Sequence, residues 1–229
     1  MASIAENIRQ IEKELAGTGC RLIGVTKTKS VEEILDAYET GLRTFGENKV
    51  QELEVKQRAL PRDIEWHMIG HLQTNKIKYI ASFVTLIHSV DSFKLLQAID
   101  KAGAKINRII PCLLQISIAD EETKYGFAEE ELFKMLKSKA FQNLKNVQVG
   151  GVMGIATHTD DEAKIREEFA GLHNLFRRVQ LEFFNGDVFF KEISMGMTHD
   201  YKLALQEGST MVRIGSGIFG ERNYATNNQ

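Results

Sequence analysis

The residues able to do chemistry in this chain fall at the ends of short apolar runs. Lys27 closes the first of them, Leu22-Ile23-Gly24-Val25-Thr26-Lys27, and a helix-start signal, Ser30-Val31-Glu32-Glu33, follows directly. A lysine held at the mouth of a strand–loop–helix unit, at a partly dry site, can lose its proton and attack a carbonyl. Near the other end, Gly215-Ser216-Gly217-Ile218-Phe219-Gly220 lets backbone N–H groups approach an anion, with a short last helix behind them. Ser194 and Gly196, in Ser194-Met195-Gly196-Met197, end the run before it. Arg213 interrupts the apolar stretch Met211-Val212-Arg213-Ile214. A buried charge needs a partner, so Arg213 is either a fixed donor facing a ligand or one half of a salt bridge on the opposite face.

These residues need elements to carry them. Strand patterns occupy 22–27, 43–46, 65–69, 83–89, 109–118, 147–153, 189–194 and 211–214. Helical patterns lie between them at 31–40, 48–59, 75–81, 92–103, 128–139, 161–180 and 200–207. A leading amphipathic helix spaces Ile4, Ile8, Ile11 and Leu15 at three and four, and a short helix follows the last strand. Strict alternation implies parallel strands with crossover helices. Eight such units in 229 residues fit a small single-domain TIM (β/α)8 barrel with an extra N-terminal helix over residues 1–18 and a polar tail over 223–229. An open doubly wound sheet is the rival.

In a barrel the strand ends and the loops after them carry the ligand groups. Lys27, Gly46-Glu47-Asn48, Gly70-His71-Leu72-Gln73-Thr74-Asn75-Lys76, Asp91, Ser194-Met195-Gly196-Met197 and Gly215-Ser216-Gly217 all fall there. Alternation puts Ile23, Val25 and Lys27 on one strand face, and if that face lines the barrel, Lys27 points into the mouth. Lys29 falls in a solvated turn before the cap Ser30. Lys124 lies among acids and reads as a surface ion pair.

Other chemistries find less support. A G-x-G-x-x-G at 215–220 would need a further strand and an acidic residue about 20 positions on, and the chain ends first. His67 and His71 are four apart but lack the helical H-E-x-x-H setting of a zinc site. Cys20 and Cys112 have no framework spacing and read as reduced, buried thiols. With 29 basic against 31 acidic residues, the chain carries no electrostatic footprint for nucleic acid or acidic membrane. No apolar run approaches the roughly 18 residues of a membrane span. A cytoplasmic monomer is expected. A lysine, an anion cradle and an arginine at one barrel mouth suit two carbonyl-bearing phosphates, pyridoxal phosphate and a sugar phosphate, and the residues alone do not choose between them.

The motifs Gly24-Val25-Thr26-Lys27-Thr28-Lys29, Phe45-Gly46-Glu47-Asn48, Trp66-His67-Met68-Ile69-Gly70-His71-Leu72-Gln73-Thr74-Asn75-Lys76, Ser194-Met195-Gly196-Met197 and Ser209-Thr210-Met211-Val212-Arg213-Ile214-Gly215 closely resemble the YggS/PROSC family of pyridoxal-phosphate homeostasis proteins. Thr26 stands where serine is common and Ser216 where threonine is common, and neither change removes a hydroxyl. The resemblance implies a barrel like the N-terminal domain of alanine racemase, with pyridoxal 5'-phosphate bound as an aldimine to Lys27. It implies Arg213 facing the pyridine nitrogen and Ser194, Gly196, Gly215 and Ser216 around the phosphate, with Asn48 and His71 near the cofactor. It implies a carrier serving vitamin B6 homeostasis with little turnover, and pyridoxal-phosphate-dependent apoenzymes as partners. The alternative is an amino-acid racemase. An arginine at the ring nitrogen disfavours ring protonation and weakens the electron sink, and the catalytic tyrosine that racemases take from a second domain has no counterpart here.

Overall fold

The computed structural model describes residues 2–119 and 125–221, so Lys124 and the tail over 223–229 lie outside the described residues. Helix α1 (Ile4–Leu15) opens on a reciprocal cap in which Ser3 and Glu6 satisfy each other's backbone N–H groups, and it buries Ile8, Ile11 and Leu15. Eight parallel strands follow: β1 (Arg21–Val25), β2 (Thr44–Glu47), β3 (Glu65–Met68), β4 (Leu86–Val90), β5 (Ile110–Gln115), β6 (Val147–Met153), β7 (Glu192–Ser194) and β8 (Met211–Ile214). They close in sequence order, β8 pairing back onto β1. The barrel is therefore the architecture, and the open sheet is excluded.

The helices between strands are α2 (Val31–Glu39), α3 (Val50–Ala59), α4 (Ile77–Ile80), α5 (Phe93–Lys105), α6 (Glu129–Lys137), α7 (Lys139–Gln142), α8 (Glu162–Phe183) and α9 (Tyr201–Gln206), and α10 (Ser216–Phe219) follows β8. Ser30 caps α2 through the expected Ser–Glu pair with Glu33. A large apolar core lies between strands and helices, while Ile23, Leu86, Leu113, Met153 and Met211 form a separate cluster inside the barrel. Helix α1 packs against α10, where the Asn7 amide donates to the Ile218 carbonyl at 2.9 Å.

Among the element boundaries that differ from the sequence reading, four have a local reason in the packing. Residues 83 and 84 donate their N–H groups to the Ile80 carbonyl and finish the α4 turn, so β4 begins at Leu86. β5 ends early, at Gln115: Ile116 still donates its N–H to the Met153 carbonyl at 2.8 Å but bridges Phe127 from the following loop. The Phe190 ring stacks between Phe176 and Phe184, at 5.0 and 4.2 Å, which draws this part of the run onto α8, and contact with β6 begins only at the Lys191 N–H, which donates to the Gly150 carbonyl at 3.0 Å. Ser138 ends α6 and caps α7, splitting one expected helix into two.

Candidate functional site

The turn bearing Lys27 is built at the C-terminal end of β1. The strand stops at Val25, so the expected alternation does not reach Lys27: Ile23 faces the barrel interior, but the lysine emerges from a turn. Thr26 is fully buried, and its N–H donates to the Gly46 carbonyl at 3.0 Å, one rung past the strand. The Lys29 N–H then donates to the Thr26 carbonyl at 2.9 Å and closes a four-residue turn with Lys27 and Thr28 at its centre. Lys27 is half-buried. Lys29 is not in a solvated turn, as the spacing suggested. Its side chain is only 12% exposed, and its ammonium donates to Glu33 Oε1 at 3.1 Å and the Phe219 carbonyl at 3.2 Å, tying α2 to α10.

Barrel order gathers the other groups beside this turn. Ile23 is in register with Arg213 and Gly24 with Ile214, so the loop after β8 lies next to the loop after β1. The Arg213 N–H donates to the Gly196 carbonyl at 2.9 Å, which fixes the end of β7 against β8. Gly196 has φ +94, and a Cβ there would sit 2.6 Å from the Ala204 Cβ, so the loop after β7 closes only with glycine. Gly215 leads into α10, whose first residue Ser216 is exposed, and the Gly217 N–H donates to Thr198 Oγ1 at 3.3 Å. Three adjacent strand ends thus bring together Lys27, Gly196, Arg213, Gly215 and Ser216. Asn48, half-buried, follows on β2, with its backbone packed so closely on Gly70 that a Cβ at Gly70 would lie 2.5 Å from the Asn48 carbonyl oxygen.

Arg213 points into the barrel, which rules out the salt bridge on the helix side. Its guanidinium is buried and donates to Ser194 Oγ at 2.7 Å and to the Gly154 carbonyl at 2.9 Å. Among the described residues no carboxylate pairs with it. Burial pulls it down to about 10, against the pull of Asp200, and it remains charged at neutral pH. Ser194 continues inward: its Oγ lies 2.9 Å from His88 Nδ1, and His88 Nε2 lies 2.9 Å from His67 Nδ1. Burial lowers His67 to about 3 and His88 well below the usual imidazole range, His88 also feeling His67 and Arg213. Both rings are neutral, so the chain Arg213–Ser194–His88–His67 holds one positive charge, at its outer end. Ser194 is fully buried in this chain, beneath the mouth and not on its rim.

His71 stands apart. It follows β3, on the side of the rim beyond Asn48, with Nδ1 2.9 Å from Asp91 Oδ2 and its ring 4.8 Å from Tyr125. With His67 inside the barrel, the two histidines do not converge, and among the described residues no cluster of three or more His, Cys, Asp or Glu groups could hold a metal. Both cysteines are buried, and desolvation pushes the Cys20 thiol to about 11 and the Cys112 thiol to about 12.

Sequence reasoning placed Glu47 at the end of the second strand without its role, and missed Glu52, Lys56 and His88. Val50, Leu53 and Lys56 share the buried face of α3, and a lysine on such a face requires an acidic partner. Glu47, at the end of β2, is that partner. His88, in the wholly buried strand β4, carried the same signal.

The chain is similar to known proteins over nearly its whole length. The family model for the N-terminal domain of alanine racemase matches residues 1–223. A pyridoxal phosphate homeostasis protein from Aquifex aeolicus is 39% identical over 98% of this chain and 97% of its own length. One from Pasteurella multocida is 37% identical with the same coverage. The structure of PipY from Synechococcus elongatus, with PLP bound, superposes with a TM-score of 0.86 at 32% identity, covering 95% of this chain and 100% of that one. Alanine racemase from Bartonella henselae shares the fold, with a TM-score of 0.71 at 16% identity, and this chain covers 60% of it. A closed eight-stranded barrel with a lysine, an arginine and paired glycine loops at one end, and relatives matched end to end, make this chain a member of the family of pyridoxal phosphate homeostasis proteins.

Proposed function

We propose that this protein holds pyridoxal 5'-phosphate through a covalent tether to Lys27 and serves intracellular cofactor homeostasis as a carrier, not as a catalyst. The observation that carries the reading is Arg213: a buried guanidinium at the barrel mouth, one strand from the lysine turn, held among the described residues by the neutral Ser194 hydroxyl and Gly154 carbonyl. That donor set fits a neutral heteroaromatic nitrogen, which needs a donor and brings no charge of its own. When bound, the cofactor supplies an aldehyde that an amine can capture and a ring that can delocalise electrons. Lys27 is the amine. Gly196, Gly215 and Ser216 form the anion end of the site, and Ser194 serves it indirectly by fixing the plane of Arg213. Asn48 flanks Lys27 on the β2 side, and His71 borders the mouth further round.

Carrier function follows from what these residues can exchange. Arg213 donates and does not accept a proton at neutral pH, the histidines behind it are neutral and buried, and His71 is engaged by Asp91. The relatives bear the names of homeostasis proteins and not of enzymes, and the likeness to racemases is one of fold. The same reading has the chain act as a monomer in the cytoplasm, with pyridoxal-phosphate-dependent apoenzymes as recipients. Among the described residues no helix is long and apolar enough to cross a membrane. Borohydride reduction of the loaded protein followed by peptide mass spectrometry tests the tether. The pyridoxyl mass on Lys27 is expected; the mass on another lysine, or robust racemisation of any amino acid by the pure protein, refutes the reading. Sedimentation of the loaded protein, alone and with an apoenzyme, tests the monomer and the transfer.

A further inference from the structure

Thr28, next to Lys27, has φ +66, in the left-handed region that a β-branched residue rarely enters. Such a conformation persists only where the surroundings over-determine it. Here they do so on both sides of Lys27. The Thr28 N–H donates to Glu52 Oε2 at 3.0 Å. The Thr26 carbonyl accepts from Lys56 Nζ at 2.7 Å, in addition to the turn-closing Lys29 N–H. The Thr26 hydroxyl donates to Glu47 Oε1 at 2.7 Å. Lys56 Nζ also donates to Glu47 Oε1 and, at 3.1 Å, to Glu52 Oε2. One buried ammonium therefore holds the peptide unit before Lys27 through the Thr26 carbonyl, and joins Glu52, which holds the peptide N–H after it, to Glu47, which holds the Thr26 side chain. Glu47 is fully buried, and its second oxygen accepts the Asn48 N–H at 3.2 Å, so the same group steadies the neighbouring loop.

We propose that Lys56, with Glu47 and Glu52, is a positioning device that sets the backbone of the Lys27 turn, and that it keeps the tether on Lys27 and off Lys56. The proposal rests on the reading of Lys27 as the amine that holds the cofactor. An ammonium has three donors and no acceptor, and Lys56 spends all three on Thr26, Glu47 and Glu52. It has no lone pair to offer an aldehyde. Lys27 projects from the turn that these bonds hold. Helix α3 thus reaches under the adjacent strand end, and its side chains decide the conformation of a loop to which it is not connected. The strain at Thr28 is sustained by the grip of Glu52 on its N–H.

Three variants separate the device from general stability. Glu52 is partly exposed, so Glu52→Ala is expected to fold, and Glu52→Gln keeps an acceptor for the Thr28 N–H. In the cofactor-free protein, Glu52→Ala and Lys56→Met should speed amide hydrogen exchange at residues 26–28 by about tenfold or more, roughly the worth of a charge-assisted hydrogen bond. Glu52→Gln should stay within about fivefold of the parent, since its amide oxygen still accepts the Thr28 N–H and forfeits only the increment that charge adds. In the protein loaded with pyridoxal phosphate, the fraction trapped on Lys27 by a short borohydride pulse should fall in the same order. Unchanged exchange and unchanged trapping in Glu52→Ala overturn the proposal. So does an equal loss in Glu52→Gln and Glu52→Ala, which would assign the effect to net charge. If the parent protein traps no cofactor on Lys27, the functional reading fails, while the exchange rates still decide whether the turn is held as described.

Discussion

The paired imidazoles inside the barrel make stability depend on pH in a window where few other groups act. His67 is lowered by burial from the usual 6.5 to about 3, and His88 is lowered in the same direction. Between those values the unfolded chain binds protons that the folded chain refuses, so stability falls as pH drops below about 6.5. For His67 alone, a folded value near 3 makes the loss about 2 kcal/mol between pH 7 and pH 5, with a limiting slope of about 1.4 kcal/mol per pH unit. His88 adds to it with the same sign. Carboxylates held low, such as Glu14 at about 2 under its bond from Tyr201, lose their contribution only below their ordinary 4.5. Glu47, raised chiefly by burial against the pull of Lys56, works in the opposite sense: it takes up its proton more readily when folded, so stability gains as pH falls toward its folded value.

Because Glu47 opposes the histidines, the decisive comparison is between variants and not between pH values alone. His67→Asn keeps a polar atom near the Nδ1 position to meet His88 Nε2 and removes the titrating ring. Urea unfolding of the cofactor-free protein at pH 7 and pH 5 gives the loss for each form; cofactor must be absent, since its binding would add a linkage of its own. The parent should lose about 2 kcal/mol more than His67→Asn over that interval. An equal loss in both would refute the reasoning, because it would mean that His67 takes up its proton inside the barrel as readily as in the unfolded chain.

Lys27→Ala should abolish the borohydride-reducible linkage to pyridoxal phosphate, whereas Lys29→Ala should retain it and lose only the tie between α2 and α10; visible absorbance before and after reduction reads both. Arg213→Leu should leave Ser194 Oγ and the Gly154 carbonyl without their donor and shift the absorbance of the bound cofactor or shorten its retention in gel filtration, with the barrel's far-ultraviolet circular dichroism retained. Gly196→Ala forces a Cβ against Ala204 at a positive φ and should cost about 2 kcal/mol or more in urea unfolding, along with weaker retention of the cofactor.

The barrel was legible because eight apolar runs alternate with helical patterns, and because Ser30 with Glu33 marks a helix start that the structure keeps. Arg213 was legible as a charge in an apolar strand, although only the packed barrel shows that it faces inward. The geometry at Lys27 was not. Strand alternation predicts a side chain pointing into the mouth, but the ladder stops at Val25 and a turn takes over, set by hydrogen bonds from α3 that no local pattern announces. The early part of the seventh run reads as strand because Phe189 and Phe190 are good strand formers, and the aromatic stack on α8 overrides that preference. Ser194 was legible as a site residue from its motif, yet its burial between Arg213 and His88 makes it a support for the arginine.

Among the described residues two cationic groups, Lys56 and Arg213, are buried close to the barrel's C-terminal end, and they are handled in opposite ways. Lys56 is compensated by carboxylates on either side and has no donor left over. Arg213 meets, among the described residues, neutral acceptors, at the end of a chain of neutral imidazoles. Burial without a counter-charge lowers Arg213 only to about 10, so it stays a cation and pays a desolvation penalty that a carboxylate would have relieved. Such a penalty persists in a fold when the uncompensated donor has work to do with something else. An aspartate in place of Ser194 would relieve the penalty, but it would also draw the guanidinium into an ion pair and spend the donor that the mouth presents. The neutral relay behind Arg213 therefore holds its plane without quenching its charge. The compensated lysine below the Lys27 turn is complementary, fixing the amine's loop without offering a second amine.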